Sequence, residues 1–217
     1  MAKQQPAALV FAGPVSRGSL IQLPGLQDCL GWVKSSSIPT ASRAVHALGC
    51  GKAVRDYRDL SEARMFLISV PESSIGAIVQ SLASSELSWQ RRTVILFDSE
   101  QNSSALLPLQ DRGAFAASLN YHNKPEQFLA EGSPQALRQI RGLTAPKPLI
   151  VLRSKDRYLA AIRGLRDDFY PGFGLSLKEL RASGLDKVSA ERTAAVTLAE
   201  SARVFLRAGH RLLKPRQ

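Results

Sequence analysis

The stretch from Ala7 to Ser19, AALVFAGPVSRGS, decides the fold of this chain. It begins with an uninterrupted apolar run that Gly13 ends, and a second glycine, Gly18, follows in the same turn. An apolar run bounded by glycine is typical of a parallel strand that is buried on both faces. The stretch therefore predicts a first strand, a glycine turn and the start of a helix, as in an α/β domain.

The glycine spacing in this turn is that of a dinucleotide-binding fingerprint with one position changed. The pattern G-x-G-x-x-G is matched at its first glycine, Gly13, and at its third, but Val15 stands at the middle one. The middle glycine normally lets a pyrophosphate approach the backbone, and Pro14 offers no N–H group. If a dinucleotide binds, we expect its phosphates on the N–H groups of Val15, Ser16 and Arg17, with the Arg17 side chain adding charge.

Strands and helices alternate along the chain as far as about residue 122. The segments 64–70 (RMFLISV) and 93–97 (TVILF) have the pattern of buried strands, and a helical pattern follows each. Further strands are expected at 30–34, 52–57, 114–119 and 148–152. The alternation predicts βαβ units, and hence an α/β fold with a doubly wound, mainly parallel sheet of the Rossmann type.

The last part of the chain has helical patterns only. Apolar residues recur at helical spacing in 158–169 and 194–206, and Pro171 with two nearby glycines predicts a break between them. Such helices cannot bury their apolar positions on one another alone. They need either the sheet domain or a second subunit to cover them. We predict a Rossmann-like domain over residues 1–153, followed by a short all-helical region over 154–217, and we favour the second subunit, so that this region joins two chains into a homodimer.

The net charge favours a partner that carries phosphate. The 217 residues include 29 Lys and Arg but 18 Asp and Glu, a formal charge of +11, which fits a nucleotide, RNA or a membrane surface, or simply a basic solvated surface. Nucleic acid is not expected, because the basic residues are scattered and no aromatic residues are interleaved with them.

No run approaches the roughly 18 apolar residues of a membrane span, no signal-peptide pattern is present, and the two cysteines lack metal-ligand spacing. We expect a cytoplasmic protein without a metal site.

The loop after the second strand lies about 20 residues past the glycines, where a dinucleotide fold contacts the adenosine ribose. An NAD-binding protein has Asp or Glu there, but this chain has Lys34 followed by three serines, with Arg43 shortly after. A cation and hydroxyl groups suit the 2′-phosphate of NADP, and Ser35, Ser36 and Arg43 are the expected contacts. The same polar loop could instead only cap the next helix.

The order of these motifs resembles a Rossmann-like family of unknown function that is related to pyrroline-carboxylate reductase and phosphogluconate dehydrogenase. The resemblance covers residues 7–125 and rests on VPESSI (70–75), where the family has a segment like VPDDAI, and on LLPLQDRGAFAASLNYH (106–122). It implies an NADP-dependent oxidoreductase that transfers hydride to or from a small carbonyl or imine. The nicotinamide would pass Val70 and Pro71 and reach Ser99.

The chain departs from this family where cofactor and substrate would meet. Phe97 and Glu100 replace a His and a Gly around the serine after the fifth strand, and Asn120-Tyr121 replaces a His-Pro pair, with His122 one place late. Because hydride transfer is the cofactor's own chemistry, the protein need only place the substrate and supply a proton, for which His122 is the candidate. The alternative is a non-catalytic Rossmann-fold protein that has lost the dinucleotide site and acts as a ligand-binding or dimeric interaction module.

Overall fold

A single mixed sheet organises the fold. The computed structural model describes residues 5–12 and 17–208, and its eight strands are ordered β3-β2-β1-β4-β5-β6-β7-β8. The strands are β1 Ala7–Phe11, β2 Leu30–Lys34, β3 Lys52–Val54, β4 Met65–Ser69, β5 Thr93–Phe97, β6 Phe115–Asn123, β7 Glu126–Gly132 and β8 Leu149–Val151. Every neighbouring pair from β3 to β6 is parallel, which confirms the doubly wound, mainly parallel sheet.

Strand β1 lies between β2 and β4 and is buried along its whole length. Its side chains alternate between two apolar layers, because successive residues of a strand point to opposite faces. Ala7, Leu9 and Phe11 belong to the layer that also holds the helices after β1 and β2. Ala8 and Val10 belong to the other layer, with the helix after β4. The uninterrupted apolar run of the sequence therefore corresponds to a strand covered on both faces.

Helices cover both faces of the sheet, and two longer helices follow at the end of the chain. They are α1 Arg17–Ile21, α2 Leu26–Cys29, α3 Ile38–Leu48, α4 Ile75–Ala83, α5 Leu107–Gln110, α6 Pro134–Thr144, α7 Lys155–Ala182 and α8 Lys187–Ala208, with 3₁₀ turns at Tyr57–Leu60, Glu72–Ser74 and Ser103–Leu106. The long helix that usually follows the first strand is here split into the short α1 and α2. The Pro24-Gly25 pair lies between the two pieces, and proline cannot continue a helix.

The strand pair β6–β7 extends the sheet in a way that the sequence pattern did not predict. The strand expected at 114–119 continues through the polar residues after it to Asn123, and the chain then turns into the antiparallel β7. Gly132 ends β7 with φ 148°, and a Cβ atom there would overlap the carbonyl oxygen of Ala116. Glycine is therefore required at this position for β7 to lie close against β6.

The chain divides into two compact units, residues 1–159 and 160–217. The boundary lies within the first turns of α7, a few residues after the one expected from sequence. The break expected at Pro171 is absent, since α7 is continuous through this residue. The rings of Phe169 and Phe173 stack at 5.0 Å on either side of the proline, and this i,i+4 contact supports the helix where a backbone hydrogen bond is lost.

The second unit consists of most of α7 and of α8, which are joined by a turn at Gly184 with φ 102°. The Asp186 carboxylate accepts from the backbone N–H groups of Val188 and Ser189 and so caps α8. Large apolar side chains of both helices are exposed, namely Leu165, Tyr170, Leu175, Val188, Val196, Leu198, Val204, Phe205 and Leu206. No helix in the described part of the chain is long and apolar enough to cross a membrane.

Candidate functional site

The residues predicted to bind a cofactor follow the carboxyl ends of the parallel strands. In open α/β sheets ligands bind at this edge, near the point where the strand order reverses. Here the reversal lies between β1 and β4, because the chain builds β1, β2 and β3 outward on one side and continues with β4 on the other. The six strands β1 to β6 all direct their carboxyl ends to the same edge.

The end of β2 carries a buried hydroxyl that has no partner among the described residues. Ser35 directly follows β2, is 4% exposed, and its Oγ atom makes no hydrogen bond within that part of the chain. A buried polar group without a partner is uncommon and costs free energy unless a ligand or water satisfies it. Beside it, the Lys34 ammonium donates to the Ser35 carbonyl oxygen at 2.6 Å and lies 5.2 Å from the centre of the Tyr57 ring.

The N-terminus of α3 completes this end of the site. Ser37 caps the helix, since its Oγ accepts from the Thr40 N–H at 3.3 Å, which confirms that the polar loop serves as a cap. The remaining predicted contacts, Ser36 and Arg43, are exposed, and the Arg43 guanidinium donates to the Thr40 hydroxyl at 3.3 Å. Two cations, an unpartnered hydroxyl and a helix N-terminus are groups that suit a phosphorylated ribose.

The pyrophosphate contacts predicted from the glycine turn cannot be placed in the same way. Gly13, Val15 and Ser16 lie outside the described residues, and of Arg17 only the helical backbone is described. The described chain reaches the turn at Ala12, whose N–H donates to the Ser69 carbonyl oxygen at 3.3 Å. These four predicted contacts therefore stay predictions.

The loops after β4 and β5 are tied together where the nicotinamide is predicted to lie. Val70 is half-buried and Pro71 is exposed at the end of β4, and the next residue, Glu72, accepts from the backbone N–H of Glu100 at 2.7 Å. Ser99 is buried, and its Oγ accepts from the Gln101 N–H at 2.9 Å. The structure thus brings Val70, Pro71 and Ser99 to neighbouring loops of one edge.

Asp98 begins the loop after β5 in a left-handed conformation, with φ 56°. Residues other than glycine seldom adopt this conformation, and where they do so they often belong to functional sites. The Asp98 N–H donates to the Leu119 carbonyl oxygen at 2.8 Å, so that the bend is anchored to β6. In the loop that follows, the Ser99 carbonyl oxygen accepts from both the Asn120 amide of β6 and the Lys155 ammonium at the start of α7.

A lysine that the sequence interpretation grouped with the scattered basic residues is a central residue of this loop. Lys155 opens α7, is 3% exposed, and donates from Nζ to the carbonyl oxygens of Ser99 at 2.6 Å and Gln101 at 2.8 Å. Burial lowers its pKa to about 8, while the carboxylates of Glu72, Glu131, Asp98 and Asp156 act in the opposite direction. Buried lysines are uncommon, and a perturbed pKa in a ligand-binding edge marks a candidate functional group.

His122 lies next to the first turns of the same helix. It shares one face of β6 with Ser118 and Asn120, and the Asn120 amide donates to the Ser99 carbonyl oxygen at 2.8 Å. The His122 Nε2 atom lies 3.4 Å from the hydroxyl of Tyr158, which follows Lys155 by one helical turn. The predicted proton donor is therefore brought to the element that carries the buried lysine, and the sequence analysis had singled out neither Tyr158 nor Lys155.

Two residues of this region contribute no chemistry to the edge. Phe97 is 1% exposed and packs in the core, so the position where the resembled family has a histidine is here filled by an apolar ring. Tyr121 points to the opposite face of β6 and packs 5.2 Å from the ring of Phe128. Across residues 5–12 and 17–208, no group of three or more His, Cys, Asp or Glu side chains could hold a metal ion.

Comparisons with known proteins identify the fold. No protein-family model matches the chain, and a search of curated proteins finds no match. A Bacteroides fragilis protein described as a candidate NADP oxidoreductase is similar to it with a TM-score of 0.69 and 12% identity, over 93% of this chain and 79% of that one. An imine reductase from Aspergillus terreus, in complex with NADPH4 and dibenz[c,e]azepine, gives a TM-score of 0.66 and 16% identity, over 94% and 74%.

A pyrroline-5-carboxylate reductase from Coxiella burnetii is similar with a TM-score of 0.57 and 16% identity, over 94% of this chain and 80% of that chain. At these identities the likeness concerns the fold. It confirms a Rossmann-like α/β domain with a helical C-terminal region, in agreement with the resemblance to the pyrroline-carboxylate reductase and phosphogluconate dehydrogenase relatives.

Proposed function

We propose that the protein is an NADP-dependent oxidoreductase that transfers hydride between the nicotinamide and a small carbonyl or imine substrate. The observation that carries the proposal is the polar group at the carboxyl ends of β5 and β6. There a buried ammonium, Lys155, and a histidine–tyrosine pair, His122 and Tyr158, lie at the ligand-binding edge of the fold. The similar fold of NADP-linked and imine-reducing enzymes supports the same reaction class.

The residues present are suited to hold NADP. The buried Ser35 hydroxyl, which has no hydrogen-bond partner in the described part of the chain, would meet the adenosine ribose, and Lys34, Ser36 and Arg43 would surround its 2′-phosphate. The pyrophosphate would lie on the turn of Gly13, Val15, Ser16 and Arg17, and the nicotinamide would lie beside Val70, Pro71 and Ser99. When bound, the reduced nicotinamide supplies the hydride.

The protein supplies the proton and the shape of the site. Reduction of a carbonyl or imine consumes one hydride and one proton, and we assign the proton to His122, whose ring is held by the Tyr158 hydroxyl. Lys155 holds the Ser99 and Gln101 carbonyls in place, and an ammonium has three donors, so that one N–H remains beyond these two bonds. Asn120 fixes the same Ser99 carbonyl from the side of β6.

The proposal also includes the location of the protein in the cell and its association into a homodimer. We place the protein in the cytoplasm, in keeping with Cys29 and Cys50, which are both free thiols. We propose that two chains associate through α7 and α8, because large apolar side chains of both helices are exposed.

The second candidate function is a non-catalytic Rossmann-fold protein that has lost the dinucleotide site. It is favoured by Phe97, which fills with a buried ring the position of a family histidine, and by Val15 in the glycine turn. A protein of this kind would bind a different ligand or act as a dimeric interaction module. It would leave NADPH unoxidised with every carbonyl and imine offered to it.

The rate of NADPH oxidation by the wild type and by a His122 variant distinguishes the oxidoreductase from the non-catalytic protein. NADPH oxidation is followed at 340 nm with a panel of aldehydes, keto acids and cyclic imines. We expect His122→Asn to lower kcat by about 10²- to 10⁴-fold on whichever substrate is reduced, because the proton donor is lost. The matched control, His46→Asn, changes an exposed histidine of α3 and should keep the wild-type rate. An equal rate in both variants would exclude His122 as the proton donor.

A further inference from the structure

The segment Ser99–Ser103 after β5 is held from several sides. Lys155 of α7 and Asn120 of β6 donate to its carbonyl oxygens, and Glu72 of the β4 loop accepts from its backbone N–H at residue 100. These contacts hold the first half of the segment. Its second half ends at Ser103, where the 3₁₀ turn Ser103–Leu106 begins.

Glu131 of β7 holds this second half. One carboxylate oxygen, Oε2, accepts from the Ser103 backbone N–H at 3.0 Å, and the other, Oε1, accepts from the Ser103 hydroxyl at 2.8 Å. The hydroxyl of Ser118 on β6 donates to Oε2 at 3.4 Å. All of these donors are neutral groups, and hydrogen bonds from an N–H or O–H to a carboxylate are stronger than those between two neutral groups.

The backbone of β7 places this carboxylate. Glu131 pairs with Ser118 in the antiparallel register of β6 and β7. The next residue, Gly132, lies so close to Ala116 and Ala117 that no side chain can be accommodated there. This close approach fixes the register, and with it the position of Glu131 beside the 3₁₀ turn, because a slip by one residue would turn the side chain to the other face.

We propose that Glu131 is a positioning residue of the site, which holds the Ser99–Ser103 segment against β7 and thereby sets the geometry and charge around the Lys155 ammonium. The inference rests on the proposed function only in taking this edge as the catalytic one. The contacts themselves do not depend on it. Within residues 5–12 and 17–208, Glu131 makes its hydrogen bonds to Ser103 and Ser118 and none to His122 or Ser99, and it acts through Ser103 and Lys155.

The charge of Glu131 has a measurable consequence for Lys155. The carboxylates that act on the ammonium come from four elements: Glu72 after β4, Asp98 after β5, Glu131 on β7 and Asp156 on α7. Each favours the charged form of the lysine and raises its pKa against the effect of burial. Replacing Glu131 by a neutral group of the same shape should therefore lower the pKa of Lys155.

Glu131→Gln tests this step, because a glutamine keeps the shape and can still accept from the Ser103 N–H. The full-length protein is labelled with [¹³C,¹⁵N]-lysine, and the titration of Lys155 is followed by two-dimensional NMR, its signal being identified by its loss in Lys155→Arg. We expect the midpoint to fall by about half a pH unit in Glu131→Gln. The control Glu126→Gln, on the same strand but paired with Lys147, should leave it unchanged.

Glu131→Ala tests the mechanical part of the proposal. Removal of the carboxylate takes away the acceptor of the Ser103 N–H, and we expect hydrogen exchange at that amide to become at least about tenfold faster. Glu131→Gln should retain most of the protection. Where a substrate is found, Glu131→Ala should lower kcat more than it changes KM, and Glu131→Gln should move the alkaline limb of the pH profile together with the Lys155 titration.

Two results would overturn the proposal. One is an unchanged Lys155 titration in Glu131→Gln, and the other is unchanged Ser103 exchange in folded Glu131→Ala. Both measurements are made without cofactor, so a failure of NADPH to bind or react would count against the proposed function and not against this inference.

Discussion

Lys155 shows what a single residue contributes to this edge and why the sequence alone did not indicate it. Its burial results from three segments that lie far apart in the chain, namely the β5 loop, β6 and the start of α7. In the sequence it is one of 29 basic residues, and no periodicity marks it. His122 could be proposed because it follows a strand with a clear apolar pattern, whereas its partner Tyr158 belongs to a helix that was interpreted as part of the dimerisation region.

The burial of Lys155 predicts a pH dependence of stability. Its pKa in the folded protein, about 8, lies below the ordinary 10.5, so between these values the unfolded chain binds more protons than the folded one. Stability from this group therefore rises with pH across that window. The free energy of unfolding of the wild type, relative to that of Lys155→Met, should increase by up to about 3 kcal/mol between pH 7.5 and 10.5.

Urea denaturation at several pH values measures this difference, and the methionine variant subtracts the titration of all other groups. Absolute stability also changes in the variant, because the Ser99 and Gln101 carbonyls lose their donor, so only the slope is compared. Parallel curves for the two proteins would contradict a buried ammonium.

At the scale of elements, the strands β1, β4 and β5 could be predicted because each is an apolar run covered on both faces. The pair β6–β7 could not be predicted beyond residue 119. The segment there, NYHNKPEQ, is polar apart from Tyr121 and Pro125 and contains no apolar run, and its strand conformation depends on cross-strand pairing. The continuity of α7 through Pro171 was not predicted either, because proline ordinarily interrupts a helix, whereas here the stacked rings of Phe169 and Phe173 support it.

The close approach of β7 to β6 predicts that two glycine-to-alanine substitutions change the free energy of unfolding in opposite directions. Gly132→Ala should destabilise the protein by about 2–4 kcal/mol, because the new methyl group meets the Ala116 carbonyl in a backbone conformation unsuited to alanine. The control is Gly142→Ala in α6, where nothing lies within 4 Å of the added Cβ. It should stabilise the protein by about 0.5–1 kcal/mol. Urea denaturation of both variants measures this, and a tolerated Gly132→Ala would show that the register is not held there.

At the scale of the whole molecule, the sequence suggested the reaction class through its motif order, but it left the cofactor site undecided. The glycine turn was ambiguous because Val15 and Pro14 stand in it, and a backbone approach to a phosphate cannot be judged from residue types alone. The β2 loop was ambiguous for a different reason, since a row of serines serves equally for capping and for ligand binding. The fold separates these roles, with Ser37 as the cap and Ser35 buried without a partner among the described residues.

The exposed apolar surface of the second unit predicts a homodimer. The wild type should elute with twice the monomer mass of 23.6 kDa in size-exclusion chromatography with light scattering. Phe205→Asp combined with Leu206→Asp should shift it to monomer, because two charges would be buried in the interface. Ser201→Asp, an exposed position of the same helix, is the control. A monomeric wild type at micromolar concentration would contradict the proposed assembly.

The most direct test of NADP binding is a thermal-shift titration with NADPH and NADH side by side, on the wild type, Arg43→Ala and the control Arg138→Ala. A ligand at a hundredfold excess over its Kd stabilises the native state by about 2.7 kcal/mol, a shift in Tm of roughly 5–10 °C for a chain of this size. We predict this shift with NADPH for the wild type and for Arg138→Ala, a much smaller one with NADH, and a loss of most of the NADPH shift in Arg43→Ala. No shift with either nucleotide in the folded wild type would contradict the oxidoreductase account and favour a scaffold that has lost its cofactor.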